Sequence, residues 1–237
     1  MLEQGRVLNQ QDQQWYPYII RLLAKDDLPQ ILGLQDFILS FLDNKSYFVP
    51  LSREEHIDII IGNGESIGLF IGDKLYAVCS ILFPGLREVN MARELDFNDE
   101  ELLQVAQLEL SMVHPDLRGN NLQSRLAQML AQRAENAMQY KHLFTSISPY
   151  NYPSLKTATS IGLKIVKLCK MYCQWDRYVM YKDLENHWEI DRDTILQVPM
   201  DCLEKQQALL EDRFFGFTQY KDDEGVKLIF ARKGKEW

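Results

Sequence analysis

Residues 108–130 read LELSMVHPDLRGNNLQSRLAQML. Alternation of Leu108, Leu110 and Met112 with Gln107, Glu109 and Ser111 predicts a strand that ends at Val113, and Pro115, lacking an N–H, stops the ladder. The turn Arg118-Gly119-Asn120-Asn121 then leads straight into a helix over 120–138. Its apolar face is carried by Leu122, Leu126, Met129, Leu130, Ala134 and Ala137. Gly119 and the two asparagines are the residue types that take left-handed backbone angles. In such a junction the N–H groups of the first helical turn have no intrahelical acceptor. Together with the helix dipole they favour an anion, and a diphosphate fits. The same spacing also suits an ordinary strand-to-helix turn.

Upstream, Tyr18–Leu23 reads as a strand, and Asp26-Asp27-Leu28-Pro29 starts a helix that runs to Leu42. Ser52 with Glu55 forms a capping box for a helix through Ile60, closed by Gly62, Asn63 and Gly64. ESIGLFIGD and KLYAVCSILF, separated by Gly72-Asp73, predict an antiparallel hairpin. Asn98 with Glu101 caps a short inserted helix.

Downstream, HLFTSIS is a strand, SLKTATSIG a short helix closed by Gly162, and KIVKLCKMYCQW with RYVMYKDL a strand pair. Beyond Leu184 come TILQVP, a helix from Asp201 boxed by Glu204, and the strands FFGFTQY and VKLIFAR. The predicted class is mixed α/β (α+β), a mostly antiparallel sheet flanked by helices, in three segments. Residues 1–16 are a flexible polar tail, 17–184 the main domain, and 185–237 a β-α-β-β extension. The extension is too small to be stable alone, so it is expected to dock on the main domain and to border the acceptor site or a homodimer contact.

A net charge of −8 and a pI near 5.1 argue against a nucleic-acid partner and tolerate a cationic one. Apolar runs such as Ile57–Ile61 fall well short of the roughly 20 residues that span a bilayer, so no membrane partner is expected. The N-terminus lacks the order of a secretory signal, and the chain is expected in the cytoplasm. Cys79, Cys169, Cys173 and Cys202 do not make a disulfide framework. Cys169 and Cys173 share one strand face with no second ligand pair at zinc spacing, so no metal is expected. No glycine loop is followed by Lys-Ser or Lys-Thr, and no G-x-G-x-x-G follows a first strand; ATP and NAD are disfavoured.

VHPDLRGNNLQSRL resembles the acetyl-CoA motif of the GNAT superfamily of N-acetyltransferases, and NYPSLKTATSIGL resembles that superfamily's second motif, Asn-x-x-Ser leading by a short helix to Gly. RYVMYKDL is similar to the strand that closes its domain. The resemblance covers about Tyr18 to Leu184. It implies an acetyl-CoA-dependent enzyme acting on a small-molecule or peptide amine. By position, backbone groups of Met112 and Val113 pair with the pantetheine arm and thioester. Arg118, Gly119, Asn120, Asn121, Leu122 and Gln123 hold the pyrophosphate, and Asn151 and Ser154 face the cofactor from the other side of the cleft. The chain departs from the motif at Asn121 and Gln123, which replace small residues.

An amine with a pKa of about 10.4 costs roughly 4 to 5 kcal/mol to make neutral at pH 7, so a positioned base helps. Glu109 is the candidate: it lies on the polar strand face, and the superfamily often carries a glutamate base on this strand. The alternative is a solvated strand face. The superfamily's tyrosine acid falls on Ala158 here, with Tyr150, Tyr152 and Tyr172 as substitutes. A thiol of pKa near 8.5 leaves as thiolate with little help. His114 reads as a loop residue. The competing function is a non-catalytic acyl-CoA sensor or interaction module on the same fold.

Overall fold

In a computed structural model, residues 1–42, 44–172 and 174–234 are described. In chain order they form β1 (Glu3–Leu8), β2 (Trp15–Leu22), α1 (Leu28–Ser40), α2 (Arg53–Asp58), β3 (Gly64–Ile71), β4 (Lys74–Leu82), α3 (Asp99–Leu102) and β5 (Val105–Val113). There follow α4 (Leu122–Asn136), β6 (His142–Ile147), α5 (Tyr152–Ser160), β7 (Lys164–Met171), β8 (Trp175–Asp183), β9 (Leu196–Pro199), α6 (Leu203–Glu211), β10 (Phe214–Asp222) and β11 (Gly225–Arg232). None of these helices is long and apolar enough to cross a membrane.

The chain divides into two compact units, one made of Met1–Pro84 with Ala106–Asn136, the other of Gly85–Val105 with the chain from Ala137 onward. In the first unit the strands pair antiparallel in the order β1-β2-β3-β4-β5. The β3–β4 hairpin turns at Gly72-Asp73 as its sequence predicts, with Gly72 at φ 57°. One sheet face buries Phe70, Val78, Leu110 and Met112 against Ile31, Leu34 and Ile38 of α1. That stripe, at i, i+3 and i+7, is why 28–40 is helical in this setting. The Ser52–Glu55 capping box forms in both directions, Glu55 N–H to Ser52 Oγ at 3.2 Å and Ser52 N–H to Glu55 Oε2 at 2.7 Å. On α4 the buried face is Leu122, Leu126, Ala127, Leu130, Ala131 and Ala134; the helix stops at Asn136, and Ala137, predicted on that face, is exposed.

The polar N-terminus is a strand, not a flexible tail. β1 pairs with β2 from Glu3↔Ile20 to Leu8↔Trp15, and the connection is held by Asn9 Oδ1 accepting from Gln11 N–H (2.8 Å) and Asp12 Oδ1 from Gln14 N–H (2.9 Å). Only Val7 of β1 is buried, so its composition hides a strand whose stability comes from its ladder.

In the second unit the order is β6-β8-β7-β10-β11-β9, again with antiparallel pairs. Phe144, Val179 and Tyr181 bury Met91, Ala92 and Leu102 of the 85–105 segment. The Asn98–Glu101 box forms as predicted. Asn90 ties the segment together: its amide donates to Gly85 O (2.7 Å) and Leu102 O (3.0 Å), and its Oδ1 accepts from Ala92 N–H (3.0 Å).

A boundary at Leu184 does not separate compact units, because the later strands continue the same sheet. Gly216 of β10 pairs with Ile165 of β7, and the fully buried Gln206 of α6 accepts from Tyr178 Oη of β8 while donating to Pro199 O and Met200 O. β8 is therefore interior to its sheet, between β6 and β7. Residue 202, not Asp201, precedes α6, with Leu203 N–H on Asp201 O at 3.0 Å.

Candidate functional site

β5 enters the site with an irregularity. Leu110 pairs with Ser80 and Leu108 with Ile81, so the register shifts at Glu109, the extra residue of a β-bulge. Bulges re-aim a side chain. Gln107, 1% exposed, donates from Nε2 to Glu109 Oε1, and Glu109 and Ser111 are half-buried. This side of β5 is thus not a solvated face. The amide donor fixes the position of the Glu109 carboxyl group on this side of the strand.

Past Met112, buried in the core opposite Val78, and the half-buried Val113, the chain leaves the sheet at His114. His114 Nδ1 accepts from Asp116 N–H (3.3 Å), and its ring stacks on Phe37 (4.6 Å between centroids, 8° between planes) with Tyr76 edge-on at 5.3 Å. Burial lowers the pKa of His114, as do Lys74 and Arg118, against an opposing pull from Asp116. Its acceptor role at Nδ1 needs the unprotonated nitrogen.

The turn then takes two left-handed residues, Gly119 at φ 82° and Asn121 at φ 55°, with Asn120 between them outside that region. The first helical bond of α4 is Arg125 N–H to Asn121 O at 3.0 Å. Among the described residues, the N–H groups of Gly119, Asn120, Asn121 and Leu122 meet no acceptor, and the exposed Arg118 has no ion-pair partner. A cluster of unfilled donors beside a free guanidinium is a fit for a diphosphate.

The Asn120 side chain is committed elsewhere: its Nδ2 donates to Leu8 O (2.8 Å) and Leu117 O (2.9 Å), and its Oδ1 accepts from Leu8 N–H (3.2 Å). Gln10 N–H donates to Asp116 O (2.6 Å), and Arg125 pairs with Glu3 (2.6 Å). The N-terminal hairpin therefore braces this turn. Sequence reasoning missed that brace; the acceptor-rich polar segment 3–14 was its one signal.

The remaining predicted residues lie in the second unit. Asn151 caps α5, its Oδ1 accepting from Ser154 N–H (3.2 Å) and its carbonyl from Leu155 N–H (3.0 Å). These two residues are brought together by the cap. Ala158, at the tyrosine position, is buried. Tyr150 is exposed, Tyr152 is half-buried, and Tyr172 Oη lies 2.8 Å from Ser146 Oγ. Burial pushes the thiols of Cys79 and Cys169 up, to about 12 and about 11. Neither is a nucleophile at neutral pH. Cys173 lies outside the described residues.

No protein-family model matches the chain, and no curated relative matches it by sequence. Solved structures do match its fold. An N-acetyltransferase from Staphylococcus aureus Mu50 is similar at 17% identity and a TM-score of 0.54, covering 71% of this chain and 99% of its own. A putative acetyltransferase from Salmonella typhimurium, solved with its cofactor acetyl-CoA, is 14% identical over 72% of this chain and 95% of its own, with a TM-score of 0.54. An acetyltransferase of the GNAT family from Streptococcus pneumoniae is 15% identical over 70% and 98%, at 0.53. The fold is that of the GNAT acetyltransferases.

Proposed function

We propose that the protein transfers an acetyl group from acetyl-CoA to the nitrogen of an amine. The observation that carries this reading is the turn from β5 into α4, where among the described residues four N–H groups meet no acceptor and Arg118 has no ion-pair partner, which supports an anion site there. Similar folds place acetyl-CoA among the ligands to consider first, since one such structure was solved with it. In this reading Arg118 and the N–H groups of residues 119–122 hold the diphosphate, with Gln123 beside it. Met112 and Val113 offer backbone groups to the pantetheine arm, and Asn151 and Ser154 face the cofactor.

Glu109 is the base. A protonated amine has no lone pair to attack with, so the nitrogen must first lose a proton to the Glu109 carboxylate, directly or through one water. The nitrogen then forms its bond to the thioester carbonyl carbon as the carbon–sulfur bond breaks, and the acylated nitrogen gives up its surplus proton to the departing thiolate or to water, leaving the neutral amide. The sulfur leaves as thiolate, so the step needs no strong acid, in keeping with the buried alanine at position 158. That same alanine favours the second reading, an acyl-CoA-binding module without turnover.

Acetyl-CoA-dependent thiol release across a panel of amines separates the two. Release that requires both protein and amine is the expected result. Tight acetyl-CoA binding with no release for any amine would establish the binding module.

A further inference from the structure

The outer surface of α1 is apolar where a surface helix is ordinarily polar. Gly33, Phe37 and Phe41 recur at i, i+4 and i+8 and are all exposed, Phe37 to 38% and Phe41 to 59%. In the same unit the exposed face of α4 follows the ordinary rule, with Arg125, Gln128, Gln132 and Glu135. A Cβ added at Gly33 would meet nothing within 4 Å, so the surface before Phe37 is open. The two phenyl rings meet edge to face at 4.8 Å, and Phe37 is stacked on the imidazole of His114, next to the strand end that leads into the turn before α4. A stack that ends in an exposed ring can take one more flat ring.

Two cations frame these rings. Lys74 Nζ lies 4.9 Å from the centre of the Tyr76 ring, which in turn meets His114 edge-on. Gln30 of α1 holds the main chain on both sides of that lysine: its Nε2 donates to Asp73 O (3.1 Å), and its Oε1 accepts from Leu75 N–H (2.9 Å). The place of Lys74 beside α1 is therefore fixed by the fold. Both Lys74 and Arg118 disfavour a proton on His114, so both lie within electrostatic reach of its ring. Among the described residues neither cation has an ion-pair partner, and the exposed Asp36 and Asp73 pair with neither. In the function proposed above Arg118 serves the diphosphate, which leaves Lys74 without an anion.

We propose that this face receives the nucleoside end of CoA, the adenine stacking on the Phe37–Phe41 pair and Lys74 taking the ribose phosphate. This rests on the acetyl-transfer reading and deepens it. Beyond its diphosphate CoA carries two further groups, a flat purine and a phosphate monoester. A ligand held at the turn must lay both on neighbouring surface, and an aromatic face beside an unpaired lysine complements the pair of them. The donor is then free acetyl-CoA and not a thioester on the phosphopantetheine arm of a carrier protein, which has no adenosine for this face to hold.

The test is a calorimetric titration of the full chain, Lys74→Gln, Phe37→Leu and Phe41→Leu, with CoA, dephospho-CoA and phosphopantetheine as ligands. The parent should bind CoA about tenfold more tightly than dephospho-CoA, the usual worth of a hydrogen bond to a charged group. Lys74→Gln should erase that difference by weakening CoA alone. Phe37→Leu keeps an apolar cover over His114 but loses the stacking ring, so it should bind both nucleotides about 5- to 100-fold more weakly and phosphopantetheine as the parent does. Phe41→Leu, at the more exposed ring, reads the same stack with less disturbance of the fold, and melting temperatures without ligand check that each variant is folded.

Equal affinity of the parent for CoA and dephospho-CoA, or unchanged nucleotide binding in both phenylalanine variants, would overturn the adenosine site while leaving acetyl-CoA binding at the turn intact. If none of the three ligands binds the parent, the acetyl-transfer reading fails and this inference falls with it.

Discussion

The turn from β5 into α4 and the turn from β6 into α5 are both strand-to-helix junctions, yet their helices begin in opposite ways. Before α4 the strand is bulged at Glu109, the turn uses two left-handed residues, and the N–H groups of residues 119–122 meet no acceptor among the described residues. Before α5 the ladder of β6 with β8 runs without a shift, and Asn151 closes the helix with its own side chain. A helix start left open in a folded protein is unfilled binding capacity, whereas a capped one is finished structure. In the function proposed above, that difference corresponds to ligand binding and proton transfer at the first junction and positioning at the second.

The sharpest way to break that assignment is at the bulge. Glu109→Gln keeps size and hydrogen bonding but removes the base, so turnover with an accepted amine should fall by roughly 10²- to 10⁴-fold at neutral pH while acetyl-CoA affinity holds. Raising the pH should recover part of the loss, since more amine is then neutral. Equal rates for mutant and parent from about pH 6 to 9 would return Glu109 to a structural role.

At the closed junction the expected effects are smaller. Asn151→Ala should lower stability by about 1 kcal/mol, the usual cost of losing a cap. Asn151→Asp keeps the cap, so denaturant midpoints should match the parent; the proposal that Asn151 faces the cofactor predicts that acetyl-CoA then binds about tenfold more weakly. Unchanged affinity would show that Asn151 serves the helix alone.

The brace behind the open junction gives a third comparison. Asn120→Ala loses the bonds to Leu8 and Leu117, a net cost of about 1 kcal/mol or somewhat more, and it should raise KM for acetyl-CoA with kcat little changed. Were Asn120 a direct phosphate ligand with no bracing role, KM would rise with no fall in melting temperature.

The smallest effect concerns pH. The folded protein holds His114 below its ordinary value of 6.5, favouring the neutral ring, so its contribution to stability is complete above about pH 6.5 and is lost as the pH falls through the folded value. His56 and His142, likewise lowered by burial, act in the same direction. Melting temperature should therefore decline from pH 6.5 toward 5, and His114→Asn, which keeps an acceptor for Asp116 N–H but does not titrate, should decline less steeply. Identical slopes would remove His114 from this account.

What the sequence made legible is what neighbouring residues determine. Capping boxes at Ser52 and Asn98, the Gly72-Asp73 hairpin and the left-handed Gly119 and Asn121 are each set by a few adjacent side chains, and each appears where its residues predict. The features that escaped depend on partners far along the chain. β1 is a strand because β2 offers it a ladder, Asn120 is a strut because Leu8 lies against it, and the bulge at Glu109 exists only in register with Ser80 and Ile81. Residues 185–237 are expected from sequence to dock on the main domain, but a linear reading does not show how, with β10 reaching β7 and Gln206 meeting Tyr178.

One measurement bears most directly on the claim that the open junction binds acetyl-CoA: a calorimetric titration of the parent and of Arg118→Glu, with melting temperatures recorded alongside. The parent should bind, and at about 100 times the dissociation constant acetyl-CoA should stabilise it by about 2.7 kcal/mol, while Arg118→Glu melts like the parent without ligand and loses most of that stabilisation. No heat and no thermal shift with any acyl-CoA, or full affinity in Arg118→Glu, would contradict it.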